Sequence, residues 1–507
     1  MYRAKLIVNK DFQKAEISPL IYGSFVEHMG RVVYNGIYEK EHEQADSEGF
    51  RKDVIEKVRE MGVTCVRYPG GNFVSCYDWK DGVGEKEKRP KRRELAWKSI
   101  ETNEVGTDEF ISWIQKANVV PIFAVNLGTR GVENAVSLLE YCNLPAGTVY
   151  SDWRKDNGHE APYQIPIWCL GNEMDGIWQI GHKTPDDYGK LAAQTAHAMK
   201  SLDDSIKTVV CGSSSTSVNT YTDWERIVLE YTYEFADYIS LHQYYGGQEE
   251  GTEEFLAQSV EMEEYIKTVI GICDMVKSKK RSNRTIHICF DEWGVWEIPG
   301  DAVADAVASR DWEVAPAFSE QIYTMEDALL FAGMLMAMVK NCERVKIACQ
   351  SLLTNISAAI MTKTGGEVWV QPIFYPFSYM SKYGRGVLLE SALKCPQYQS
   401  KKGNAIPYLD QLAVYNPSQE EVVFFVVNRR GEASELTLEM QGFEITDETL
   451  EQVMLYHDDL KANNQDLHEN VVPSTIQFKT ENVNSVECRI QPFSWNMLRV
   501  KVRTGDE

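Results

Sequence analysis

The chain has 507 residues, 43% of them hydrophobic and 25% charged, a size and composition that exclude both a disordered polymer and one ordinary core. Its 52 basic residues against 75 acidic ones leave a net charge of -23. An acidic surface of that strength repels phosphate backbones and anionic membranes, so neither nucleic acid nor a membrane is an expected partner, while a neutral ligand carries no penalty.

In chain order, residues 1–10 lack the apolar core of a secretory signal. The alternation Ala4-Lys5-Leu6-Ile7-Val8 reads as a half-buried strand, and residues 1–16 are expected to add a strand to a sandwich formed by the far end of the chain. Strand and helix signals then alternate across residues 17–382. Apolar, β-rich runs fall at 20–26, 63–68, 119–125, 165–170, 206–211, 238–242, 285–290 and 345–349. Between them lie helical patterns. Phe50, Val54, Ile55, Val58 and Met61 recur at helical spacing, and Thr184-Pro185-Asp186-Asp187 is a helix start with a cap, a proline and first-turn acids. The apolar stretch 328–339 is too short to span a membrane and reads as a buried helix. Continuous apolar strands separated by helices require a parallel sheet covered on both faces, and eight such units favour a (β/α)8 barrel.

Beyond residue 382 helical periodicity fades. Short alternating strands near 412–415, 421–427, 435–440 and 496–502, with turns such as Asn416-Pro417-Ser418, predict a C-terminal β-sandwich over 383–507. The basic run 86–93 is expected to be a solvated loop. The 11 cysteines form no CxxC pair, so a structural zinc site is not expected. Several of them (Cys65, Cys169, Cys289, Cys349) lie inside strand signals, which suits free thiols in a reducing, cytoplasmic compartment.

Two of the barrel runs end on glutamate: Trp168-Cys169-Leu170-Gly171-Asn172-Glu173 and His287-Ile288-Cys289-Phe290-Asp291-Glu292-Trp293. A carboxylate at the end of a buried strand costs desolvation free energy unless it is bonded or employed, and parallel barrels carry their chemistry at that end of the strands. The other strand ends add Glu27-His28, Arg67-Tyr68-Pro69-Gly70-Gly71-Asn72, Asn126 and His242-Gln243-Tyr244-Tyr245. Taken singly, a glutamate there is usually an ion-pair partner, Arg67 ties a carboxylate inside the barrel, and His242 is a bonded core residue. Taken together they are the equipment for cleaving a glycosidic bond with two carboxyls.

The segments 23–31, 67–73, 81–84, 101–107, 170–176, 240–246 and 290–293 run in the same order as in the family 51 glycoside hydrolases, and the chain resembles that family over nearly its whole length. The resemblance implies a (β/α)8 TIM barrel with a C-terminal jelly-roll β-sandwich. It also implies a retaining, exo-acting α-L-arabinofuranosidase working on arabinose-containing oligosaccharides such as those of arabinan and arabinoxylan, with no cofactor or metal. By the same resemblance Glu173 is the general acid/base and Glu292 the nucleophile. Asn172 holds the sugar 2-hydroxyl, Glu27, Asn72 and Tyr244 bind the ring, His242 orients the carboxylates, and Trp97 and Trp178 stand near the leaving group. Relatives are often hexamers, so a homo-oligomer is expected. A β-xylosidase or endoglucanase on the same scaffold, or a non-catalytic sugar-binding relative, are the alternative readings.

One departure stands out. Where the family carries Ala-Cys, two residues and a sugar-contacting Gln, this chain reads Ala348-Cys349-Gln350-Ser351-Leu352. Residues two apart on a strand share a face, so Gln350 is expected one layer deeper, with Leu352 in the contacting place. Gly294 likewise stands where close relatives carry a larger polar residue.

Overall fold

A computed structural model describes residues 1–504, the side chain of Asp466 excepted. Its centre is a closed barrel of eight parallel strands. In order these are Gly23–Phe25, Cys65–Tyr68, Val120–Val125, Ile167–Leu170, Lys207–Val210, Tyr238–Tyr245, His287–Val295 and Val345–Gln350. The barrel closes where Cys349 and Gln350 of the eighth strand pair with Gly23 and Ser24 of the first. The strands are buried almost throughout, because helices cover the outside and side chains fill the inside.

Three local differences from the sequence reading have plain causes. The first strand starts only at Gly23, because Ser18 and Pro19 open a 3-10 turn in which the Ser18 hydroxyl accepts from the Leu20 N–H. The sixth and seventh strands run on to Tyr245 and Val295, so that, past a register shift between Cys289 and Glu292, His242, Tyr244 and Glu292 are still paired rather than beyond the strand ends. In the basic run, Arg89 turns inward. Its guanidinium donates to both carboxylate oxygens of Glu109 and to the carbonyls of Gly84 and Asn103, while Arg92–Glu94 forms a hairpin with Ser99–Glu101.

The helix Pro185–Leu202 begins on the Thr184 cap, whose hydroxyl accepts from the Asp187 N–H. Met325–Lys340 is buried on every side from Met325 to Val339, because it packs against the seventh and eighth barrel strands and also against the second sheet. That double burial explains its all-round apolar sequence.

The second sheet runs, edge to edge, Ser474–Lys479, Thr449–Leu455, Ser494–Thr504, Glu421–Asn428, Leu409–Asn416, Val387–Lys394, Tyr2–Glu16, Ser434–Gln441 and Ser485–Ile490. The N-terminal strand pairs antiparallel with Val387–Lys394 and parallel with Ser434–Gln441. Strands distant along this path share one apolar core: Leu6 and Val8 meet Val422, Phe424, Val426, Leu438 and Val500, so the sheet curls on itself. The alternate residues Val423, Phe425 and Val427 join the barrel core. A strand buried on both faces is why 421–427 lacks polar alternation.

Candidate active site

Arg67 is the hub at the C-terminal rim of the barrel. A charged residue inside an apolar strand demands partners, and this one has three. Nη1 donates to Glu292 Oε1 at 2.8 Å, Nη2 to Asn172 Oδ1 at 2.6 Å, and Nε lies 3.0 Å from Asp291 Oδ2. Tyr244 and His242 hold the carboxylates from the opposite side. Tyr244 donates its hydroxyl to Glu292 Oε2 at 2.9 Å and lies 2.8 Å from Ser351 Oγ. His242 Nδ1 stands 3.0 Å from Glu173 Oε1 and 3.6 Å from Glu292 Oε2, and its Nε2 is 3.3 Å from Asp291 Oδ1.

The electrostatics follow from this packing. Burial opposes charge on Asp291, but Arg67, His242 and Ser240 outweigh it and hold its carboxyl down at about 2. Burial also opposes charge on His242, yet Glu292, Asp291 and Glu173 around it push the imidazolium up to about 10. The ring is therefore cationic at neutral pH and binds the carboxylates as a fixed positive charge.

Glu173 sits on a sharp exit from the fourth strand, with Gly171 at φ 95° and Glu173 itself at φ 42°, a region that non-glycine residues seldom occupy. Its second oxygen accepts from the indole of Trp178 at 2.6 Å, and Trp178 is 51% exposed at the mouth. One oxygen of Glu173, one of Glu292 and a ring nitrogen of His242 all lie within 4.8 Å of one another.

Glu27 forms the opposite wall. Its Oε1 accepts from the Phe73 N–H and the Trp97 indole, each at 2.8 Å. Gly70 and Gly71 allow this approach: a Cβ on Gly71 would lie 2.2 Å from Glu27 Oε2, and Gly70 has φ 145°. Burial, together with the charge of Glu292, raises the Glu27 carboxyl to about 8. Asn72 completes this side, its Oδ1 3.3 Å from the Asn172 amide.

Between these walls lies a pocket of about 210 Å³, lined by Glu27, Asn72, Trp97, Glu173, Tyr244 and Glu292, with Phe25, Met29, Trp296 and Leu352 forming an apolar arc. The nine residues that the resemblance marked gather here: six line the pocket, while Asn172, His242 and Trp178 bond to residues that do; His28 and Asn126 do not, His28 bonding Glu101 and Tyr68 and Asn126 the Tyr77 carbonyl. Gln350 does not line it; its amide donates to the Ser357 carbonyl, and Leu352 faces the pocket instead. Sequence reasoning missed Asp291, Ser351 and the apolar arc. Asp291 was legible as a second acid beside Glu292 in an apolar strand; Ser351 and Met29 carry no signal of their own.

A closed parallel barrel with a carboxyl pair at this spacing has the build of a retaining glycoside hydrolase. Residues 57–272 match the family described as alpha-L-arabinofuranosidase 1 domain, and residues 291–494 the one described as alpha-L-arabinofuranosidase C-terminal domain. The chain is 48% identical to an intracellular exo-alpha-(1→5)-L-arabinofuranosidase of Bacillus subtilis strain 168, covering 99% of both chains. It is 47% identical to its namesake in Acetivibrio thermocellus, over 99% of this chain and 100% of the other. Among solved structures, a family 51 alpha-L-arabinofuranosidase from Bifidobacterium longum superposes with a TM-score of 0.93 at 37% identity, covering 99% of this chain and 100% of that one. A bifunctional glucanase-xylanase from a metagenome library, at TM-score 0.61 and 12% identity over 99% of this chain and 100% of that one, shares the fold alone. This chain belongs to the family 51 α-L-arabinofuranosidases.

Proposed function

We propose that the protein removes terminal non-reducing α-L-arabinofuranosyl residues from arabinose-containing oligosaccharides by double displacement. In the first step a Glu292 oxygen attacks the anomeric carbon, the glycosidic C–O bond breaks, and the departing oxygen takes the proton of Glu173. In the second, Glu173 as carboxylate takes a proton from water, the water oxygen attacks the anomeric carbon, and the ester to Glu292 breaks with net retention. Arg67 and Tyr244 fix the two Glu292 oxygens, so that one face of the carboxylate is aimed at the pocket. Asn172, Asn72 and Glu27 are the proposed partners of the sugar hydroxyls, and Trp97 and Trp178 flank the ring and the leaving group.

The observation that carries this reading is the 4.8 Å limit on the spacing of Glu173, Glu292 and His242 ligand atoms. One oxygen of each carboxyl within that distance fits the close pair of a retaining site, about 5–5.5 Å, better than the about 6.5–9.5 Å of an inverting one. Action inside the cell is supported by relatives described as intracellular enzymes and by the 11 free thiols. Among the described residues no helix is long and apolar enough to cross a membrane. A homo-oligomer, with residues 17–382 as the catalytic unit and 1–16 with 383–507 as the sheet unit, completes the proposal.

The test is a panel of nitrophenyl glycosides: α-L-arabinofuranoside, β-D-xylopyranoside, β-D-galactofuranoside and β-D-glucopyranoside. Dominant release from the arabinofuranoside is expected. Preference for another sugar would refute the substrate assignment and implicate the Leu352 wall, and no release from any of them would favour a sugar-binding role.

A further inference from the structure

The hairpin Arg92–Glu94 and Ser99–Glu101 carries a buried acid that the mechanism does not use. Glu94 is 5% exposed, and both its oxygens point into the hairpin's own turn. Oε1 accepts from the Ala96 N–H and Oε2 from the Trp97 N–H, each at 2.7 Å. The same tryptophan reaches 70 residues back to donate its indole to Glu27 Oε1, and its ring packs against Phe318 at 6.0 Å. Glu94 itself does not line the sugar pocket; it lines a neighbouring cavity of about 270 Å³ on the far side of the turn. The turn is thus gripped from behind by one carboxylate, and it presents its indole to another in front.

We propose that Glu94 is a positioning residue: by clasping the 95–98 turn it sets the Trp97 indole on Glu27 and so fixes the wall that receives the sugar ring. This rests on the reading of the pocket as the glycosyl site. Nothing else among the described residues accepts from the Trp97 N–H, so loss of the carboxylate frees the turn while the Phe318 contact remains. The charge state of the clasp also matters, since an ionised acceptor holds N–H donors more strongly than a neutral one. Burial first, then the charge of Glu101 on the same hairpin, raise the Glu94 carboxyl to about 7, against its two N–H donors and Arg310 from the segment after the seventh strand. Glu27 just after the first strand and the Cys76 thiol after the second also sense it. The clasp therefore tightens as pH rises through about 7.

Glu94→Ala should raise KM about 10-fold, equivalent to about 1.4 kcal/mol, with kcat within about 2-fold, and Glu94→Gln, which keeps one acceptor, should recover part of the loss. In the wild type KM should fall as pH rises through about 7; in Glu94→Gln that inflection should vanish, leaving only the one contributed by Glu27, whose carboxyl is raised to about 8. In a Trp97→Phe background the Glu94 substitutions should add little, because both act through one contact. Additive losses, an unchanged KM or an inflection retained near 7 would overturn the proposal. Glu94→Gln keeps volume and shape should the alanine variant not fold. Hydrogen exchange at the Ala96 and Trp97 amides reads the clasp without turnover, so that silence on the glycoside panel sinks the functional reading alone. Faster exchange in Glu94→Gln is expected there, and unchanged exchange would sink the clasp.

Discussion

His242→Gln is the substitution on which the electrostatic account of the site makes its sharpest statement. The imidazolium stands among Glu173, Asp291 and Glu292, and those carboxylates raise it from an ordinary value of 6.5 to about 10. Folding therefore favours the charged ring by roughly 5 kcal/mol, at about 1.36 kcal/mol for each pH unit of displacement. A folded value above the unfolded one gives stability that is fully present below pH 6.5 and is lost as pH rises through about 10. Glutamine cannot ionise. The stability gap between wild type and His242→Gln should thus be widest at or below about pH 6.5, narrow by about 1.4 kcal/mol per pH unit, and close above about pH 10. Asp291, held at about 2, stays ionised across that window in both proteins and adds no slope. Chemical denaturation followed by tryptophan fluorescence between pH 6 and pH 10 measures the gap. A gap independent of pH would mean that the folded ring is neutral, and the account of how Glu173 and Glu292 are held would fall with it.

Two further substitutions probe separate parts of the pocket. Glu173→Ala should lose about 10²–10⁴-fold in rate on glycosides with poor leaving groups and much less on nitrophenyl glycosides, which need no proton; equal losses on both would remove it from the acid/base role. Gly71→Ala places a methyl 2.2 Å from Glu27 Oε2, so overpacking should displace that carboxylate at a cost of about 1–3 kcal/mol. The cost should be read as a raised KM with little change in kcat, and an unchanged KM would show that Glu27 does not contact substrate.

The barrel was legible in the sequence because each of its strands is buried on both faces, so eight apolar runs stood out against the amphipathic helices between them. The carboxyl pair was legible for the same reason, since a charged residue ending such a run is conspicuous. Other features were set by contacts distant in the chain. Arg89 carries the same signal as its exposed basic neighbours and is turned inward by Glu109 twenty residues on, together with the Gly84 and Asn103 carbonyls. The apolar arc draws Phe25 and Met29 from near the first strand and Leu352 from just after the eighth, and they become one surface only when the barrel closes. The turn at Trp97 had no strand or helix signal; its geometry comes from Glu94 within the hairpin and Glu27 outside it. Leu352 lies past the end of the eighth strand and faces the pocket, while Gln350, the last residue of that strand, gives its amide to the Ser357 carbonyl.

The central claim is that Glu292 becomes covalently attached to the sugar. An arabinofuranoside carrying fluorine at C2 and an activated leaving group should be cleaved in the first step and hydrolysed slowly in the second, because the electron-poor ring disfavours the oxocarbenium-like transition state. Mass spectrometry of the digested protein should then find one glycosyl group per chain on the peptide containing Glu292, and none on Glu292→Ala. A label on another residue, or turnover with inverted configuration and no label, would contradict the account.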